Sequence, residues 1–206
     1  KASSKEAIFS ANIEGWSGSG TYVGYTREGY TFVPSKKTVT YPLTNCIVDI
    51  LQNDKRSAWI ADINGIYYPN KYKNRANQTD EKNYEYQNWF RLTEMYLCRA
   101  EALAHNGDLE GAVADVNKIR TRAGLSELDA TQMLQSDVLD AVLEERHKEF
   151  FCEMGHRFFD LRRTGKMAEV FNQLDWKQPW EQYHQYLPIS ETELYANPNL
   201  VQNEGY

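Results

Sequence analysis

The sequence predicts a mostly helical α+β fold, with a tetratricopeptide-like helix hairpin as scaffold, long irregular loops and few short strands. Three observations predict it. Apolar residues recur at helical spacing from residue 88 to about residue 154. The two clearest apolar stripes are joined by Asn106-Gly107-Asp108, a helix stop followed by a helix start. Residues 1–87, by contrast, are rich in Gly, Ser, Thr, Asn and Tyr, with weak periodicity. The chain therefore divides into a loop-rich segment, 1–87, holding a short strand, and a helical region, 88–206, ending in an extended tail, the two fused in one domain.

Taken in order, residues 7–13 alternate imperfectly and predict a short strand. Residues 14–42 carry Gly15, Gly18, Gly20, Gly24 and Gly29 interleaved with Trp16, Tyr22, Tyr25 and Tyr30, which predicts a long loop with an irregular hairpin. Residues 43–52 predict a short helix, followed by Asp54 and Arg56, and residues 66–87 read as loop. From residue 88, Trp89, Leu92, Tyr96, Leu97, Ala100, Leu103 and Ala104 follow the i, i+3, i+4 rule. Asp108 restarts a helix as N-cap, Leu109 to Ala123 carry its stripe, and Gly124 ends it. The pair makes an antiparallel helix hairpin, like one tetratricopeptide unit. One such unit cannot bury its own apolar face, so its neighbours must come from other helices of this chain or from an upstream portion. A third helix is expected over Ser136–Glu153, with Leu139, Val142, Leu143, Phe150 and Met154 as its stripe and Gly155 as its break. A short helix from Phe158 ends near Gly165, and the tail from Tyr186 is extended, with one helical turn at Glu191–Tyr195.

Composition narrows the function. The 206 residues carry a net charge of −6, with no basic face to serve a general nucleic-acid binder. No run of 18 apolar residues is present to form a membrane-spanning helix. Cys46, Cys98 and Cys152 are odd in number and lack a CxxC pair, which argues against a disulfide framework or a zinc site. Cys98 and Cys152 read as buried small hydrophobes. The chain begins at Lys1 without a basic and then apolar leader, and reads as a fragment or a processed product.

Catalytic patterns are absent: no GxSxG, Walker loop or GxGxxG occurs, and His147 and His156 lack HExxH spacing. No metal or cofactor is expected. Glu144 and Glu145 sit about 100° apart on their helix and do not converge on one proton, and Glu144 with Lys148 makes a surface ion pair. Arg157, Arg162 and Arg163 flank Asp160, with Arg146 and Glu149 one helix earlier, a set of ion pairs fastening the third helix to the following turn. The aromatics point to binding. Sugars offer flat C–H faces that stack on Trp and Tyr rings, whose polar ends read hydroxyls. Trp16, Tyr22, Tyr25 and Tyr30 lie in a loop and serve either as such a platform or as pins for the loop. Trp176, Trp180 and Tyr183, in a polar stretch, rank behind them.

Three segments carry a resemblance. The first runs from Phe90-Arg91-Leu92-Thr93-Glu94-Met95-Tyr96-Leu97 to Val116-Asn117-Lys118-Ile119-Arg120-Thr121-Arg122-Ala123-Gly124-Leu125. The second is Glu145-Arg146-His147-Lys148-Glu149 followed by Gly155-His156-Arg157-Phe158-Phe159-Asp160-Leu161-Arg162-Arg163. The third is Leu187-Pro188-Ile189, then Asn197-Pro198-Asn199-Leu200 and Gln202-Asn203-Glu204-Gly205-Tyr206. Together they resemble the C-terminal part of the SusD/RagB family of Bacteroidetes outer-membrane lipoproteins, well over 88–206 and loosely over 1–87. Ile189-Ser190 and Asn203-Glu204-Gly205-Tyr206 depart from the family's commoner Ile-Pro and Asn-Pro-Gly-Tyr.

The resemblance implies a non-catalytic cell-surface protein that binds oligosaccharide or polysaccharide and hands it to a SusC-like TonB-dependent outer-membrane transporter. It implies a lipid anchor on an N-terminal cysteine absent from this chain. Peptide binding, or a purely protein-interaction lid on the transporter, is the alternative. A glycoside hydrolase using loop carboxylates such as Asp62 and Asp80 is a lesser one. The family's ligand site is an aromatic platform built by loops. Position in the chain then points to Trp16, Tyr22, Tyr25 and Tyr30, with Asn12 and Arg27 as hydrogen-bonding residues.

Overall fold

The computed structural model describes residues 4–11, 15–17, 20–22 and 24–206, with the backbone alone for 15–17 and 20–22. Two compact units divide between His156 and Arg157.

The first unit has its core in three helices. α3 (Leu92–His105) and α4 (Leu109–Ala123) form the expected hairpin. Asn106 closes α3, Asp108 caps α4 by accepting from Gly111 N at 2.9 Å, and Gly124 ends α4 in the left-handed conformation at φ 80°. A residue with a Cβ is strained at that φ, so glycine takes the position and its left-handed turn ends the helix. α5 (Gln135–Phe150) supplies the neighbour that the hairpin needs. Leu97, Ala100 and Ala104 of α3 meet Ala112, Val113, Val116 and Ile119 of α4 and Val138, Val142 and Phe150 of α5 in one buried cluster. The small alanines let the helices approach closely, so the expected stacking partner lies within this chain.

The remainder of the first unit is built of short pieces. β1 (Ala7–Ala11) is the expected strand, as far as it is described. Its partner is β6 (Gln87–Arg91), antiparallel, with Phe9 opposite Phe90 and irregular register. This corrects the expectation of helix from residue 88: Trp89 lies in the strand, and the helix begins at Leu92. Aromatic residues in a row fit a pleated ribbon as readily as a helix face. β2 (Gly15–Ser17) and β3 (Gly20–Tyr22) pair as the irregular hairpin. α1 (Arg27–Phe32) stands where loop was expected, and α2 (Asn45–Ile50) where a short helix was. β4 (Ile60–Ile63) and β5 (Ile66–Pro69) form a hairpin that corrects the reading of residues 66–87 as loop throughout. A smaller core joins Ile47 and Leu51 to Phe151.

These pieces are tied to the helices by a buried ion-pair network rather than by a large apolar core. Arg56, in a 3-10 turn capped by Asp54, meets Asp54 at 2.6 Å, Glu145 at 2.7 Å and Glu149 at 3.2 Å. Glu149 also receives Arg91 of β6 at 2.9 Å and Arg122 of α4 at 2.6 Å. Glu6 joins Arg91 and Arg122, and Glu153 joins Arg91 and Lys71. Glu149 therefore does not fasten α5 to the following turn, as expected. It fastens α5 to β6, α4 and the turn at Arg56. Burial alone raises the Glu149 pKa, but the guanidinium groups of Arg91, Arg122 and Arg56 outweigh it and hold the group below the usual carboxylate range. For Glu145 burial wins and its pKa is raised. Glu144 pairs with Lys148 as expected. Cys98 is exposed and Cys152 half-buried, which corrects their reading as buried hydrophobes. Cys98 takes the rim of α3 beside buried Leu97, and burial pushes the Cys152 thiol up to about 11.

The second unit takes in all of α6 (His156–Arg163) but its first residue, and there Asp160 pairs with Arg163 at 2.8 Å within the same helix. α7 (Met167–Phe171), not foreseen, buries Met167. α8 (Glu191–Ala196) is the expected turn of helix, capped by Ser190. Among the described residues no helix is long and apolar enough to cross a membrane.

Candidate ligand-binding site

The sequence-predicted residues scatter over one short stretch. Asn12 lies outside the described residues. Trp16 stands opposite Thr21 and Tyr22 opposite Gly15 in the β2–β3 ribbon. Tyr25 is 9% exposed and Tyr30 is 48% exposed, with ring centroids 6.1 Å apart. Tyr25 thus lies beneath the surface and Tyr30 on it. Arg27 is exposed at the first position of α1.

Six residues make a weak helix, and α1 holds because its ends are satisfied from outside. Thr26 caps it, its hydroxyl oxygen accepting from Gly29 N at 3.0 Å. Arg75 donates through Nη1 to the Tyr30 carbonyl at 2.6 Å and to the Val33 carbonyl at 2.8 Å, closing the other end. The Arg75 guanidinium also lies 4.9 Å from the centre of the Tyr30 ring. One side chain therefore holds both the backbone and the ring of the exposed tyrosine.

The helix is fastened by the segment 70–87. Asn74 donates its amide to the carbonyls of Gly24 at 2.9 Å and Asn83 at 2.6 Å. Glu85 accepts from the backbone N–H groups of Lys73 and Asn74, and its own N–H donates to Gly24. Gly29 sits so near this frame that a Cβ would lie 2.3 Å from the Asn74 carbonyl oxygen. Glu28 accepts from the Gln87 amide at 2.8 Å, tying α1 to the start of β6. Beyond α1, Phe32 meets Tyr41 edge-on at 6.3 Å, and Tyr41 is 54% exposed.

The surface so formed offers tyrosine rings, the Arg27 and Arg75 guanidiniums and open hydroxyls, which suits stacking and hydrogen bonding of a polar, ring-shaped ligand. Arg75 and Tyr41 went unnoticed in the sequence. Arg75 lies 45 residues from Tyr30, and no local spacing signals that pairing. The carboxylates named for a hydrolytic alternative have local duties. Asp62 accepts from Gly65 N in the β4–β5 turn, and Asp80 accepts from Lys82 N as a cap. Among the described residues no cluster of His, Cys, Asp and Glu is arranged to hold a metal ion.

Comparison with known proteins places the chain in a family. The family model for the SusD family matches residues 17–206. The starch-binding protein SusD of Bacteroides thetaiotaomicron is 34% identical over 123 residues, covering 57% of this chain and 21% of that protein. The chain thus spans about a fifth of the length of that curated relative. A SusD superfamily protein from Bacteroides vulgatus shares the fold, with a TM-score of 0.74 and 23% identity over 98% of this chain and 51% of that one. Surface glycan-binding protein A from Bacteroides thetaiotaomicron does so with a TM-score of 0.69 and 24% identity, over 97% and 52%. With its helix hairpin, its few strands and a match that runs over nearly its whole length, this chain belongs to the SusD family.

Proposed function

We propose that this chain is part of a non-catalytic glycan-binding protein of the cell surface. It captures oligosaccharides by ring stacking and hydrogen bonding and passes them to a SusC-like TonB-dependent transporter. A lipid on an N-terminal cysteine outside this chain holds the protein to the outer membrane. Residues 1–87 form its ligand-facing segment, with Trp16, Tyr22, Tyr30, Asn12 and Arg27 as contacts and Tyr25 supporting Tyr30 from below. The observation that carries the reading is the half-open Tyr30 ring, clamped by Arg75 on a fastened helix, in a chain whose relative is a starch-binding protein.

The test is native affinity electrophoresis of the chain through gels containing starch, xylan or mannan. Trp16→Ala and Tyr30→Ala are expected to weaken retention, each by about 0.5–1.5 kcal/mol for a lost stacked ring, with the helical circular dichroism unchanged. Full retention of both variants excludes the loop platform. A barrel partner recovered in a pull-down, with no retention on any gel, favours a protein-interaction lid instead.

A further inference from the structure

The second unit contains a cleft that the proposed platform does not use. Its volume is about 570 Å³, and Glu181, Gln182, Tyr183, Gln185, Tyr186 and Glu204 are among the residues lining it. That volume falls within the ~300–1,000 Å³ of small-molecule sites. The cleft has a built frame. The Gln202 side chain exchanges hydrogen bonds with the backbone of Ile189 at 2.8 and 2.9 Å, and Asn203 donates to the Leu187 carbonyl at 2.7 Å. The Tyr206 hydroxyl donates to the Tyr186 carbonyl at 2.7 Å, and its ring meets Tyr183 edge-on at 5.0 Å. Tyr183 packs so closely on Gly205 that a Cβ there would lie 2.3 Å from its ring, at a φ of 94°. The tail thereby folds back on residues 183–189 and holds the cleft's walls.

The lining has a particular chemistry. Tyr186 is 45% exposed, with the Arg162 guanidinium 4.7 Å from its ring centre. The frame's hydrogen bonds leave the side-chain amides of Gln182 and Gln185 open, so each offers both a donor and an acceptor. Hydroxyl groups, which also donate and accept, match amides beside a ring. The carboxylates of Glu181 and Glu204 only accept, and they disfavour an anionic guest.

We infer that this cleft is a second carbohydrate site, taking a sugar unit of a neutral oligosaccharide against Tyr186 and reading its hydroxyls through Gln182 and Gln185. The inference rests on the glycan-binding reading above and adds a place and a charge class to it. Its test uses the whole chain in gels of starch, xylan and mannan, with alginate as the uronate-rich control. Tyr186→Ala and Gln185→Ala are expected to weaken retention by neutral polysaccharide about two- to tenfold, and Tyr186→Phe to keep it. Gln185 makes no bond in the frame, so its variant tests the site independently of folding. Neutral retention unchanged in both alanine variants overturns the second site and leaves the first reading standing. No retention of the unaltered chain on any of these gels overturns both readings, and retention by alginate alone overturns only the second site. Equal retention by alginate, or binding of polylysine that the same variants abolish, overturns the assignment to neutral sugar.

Discussion

The α3–α5 helices and the segment from Gly24 to Gln87 are held in different ways. The helices bury a continuous apolar cluster, so their cohesion comes from non-directional removal of surface from water. The segment has only a smaller apolar cluster around Ile47 and Leu51, and hydrogen bonds from Asn74, Arg75 and Glu85 hold the rest of it, with ion pairs from Arg56 to Glu145 and Glu149 tying it to α5. Directional bonds fix a loop in one geometry without a thick core beneath it. That is what a binding loop requires, since its rings must stay open to solvent yet stand still. The cost is that the segment depends on a few polar side chains, where the helices depend on many small contacts.

The largest break of this contrast is expected at Arg56. Replacing it by Met leaves Asp54, Glu145 and Glu149 buried without their shared cation, and breaking a buried pair costs ~3–5 kcal/mol. In a chain of this size that lowers Tm by about 10 °C, measurable by calorimetry. A melting point unchanged by Arg56→Met removes the network from the account of what joins the two regions.

A somewhat smaller effect sharpens the comparison through pH. Glu149 has a depressed pKa in the folded chain, so the stability it contributes is present above the unfolded carboxylate value of ~4.3. It is lost as pH falls through the lower folded value. Glu149→Gln is therefore expected to destabilise the chain at pH 7, and its deficit against the parent chain to shrink below about pH 4. Thermal melts of both proteins across that range check it. A deficit that stays constant assigns the loss to packing rather than to charge.

The smallest effect is local. Asn74→Ala removes the amide that joins Gly24 to Asn83 and costs ~1–3 kcal/mol. It is expected to speed amide hydrogen exchange over residues 24–33 while leaving α3–α5 protected. Equal acceleration in the helices shows that the two regions open together.

These differences also explain what was legible in the sequence. The hairpin of α3 and α4 is readable because its signals are local: an apolar stripe, Asp108 three residues before the N–H it caps, and Gly124 in the left-handed position that ends α4. α1 was not readable, because Thr26, Gly29, Asn74 and Arg75 make it together across some 45 residues. The Arg56–Glu149 contact spans 93 residues and leaves no periodic trace. β6 carries a helical signature in the sequence because Trp89 and Leu92 satisfy a spacing of three by chance. At the candidate site, Tyr30 was found by composition and loop context, but its clamp was not. Tyr25 reads identically in the sequence and turns out to be buried.

The close approach of Gly29 to Asn74 has a consequence for how this surface can change over generations. Position 29 admits no larger residue without displacing the frame, whereas Arg27, Tyr30 and Tyr41 project from it and bear none of its bonds through their side chains to backbone. Variation is thus channelled. Substitutions that alter the chemistry of the exposed surface fall on side chains whose loss leaves the mounting intact, and substitutions that would spoil the mounting fall elsewhere. Such a partition lets the exposed side chains change one at a time while the scaffold beneath them keeps its bonds.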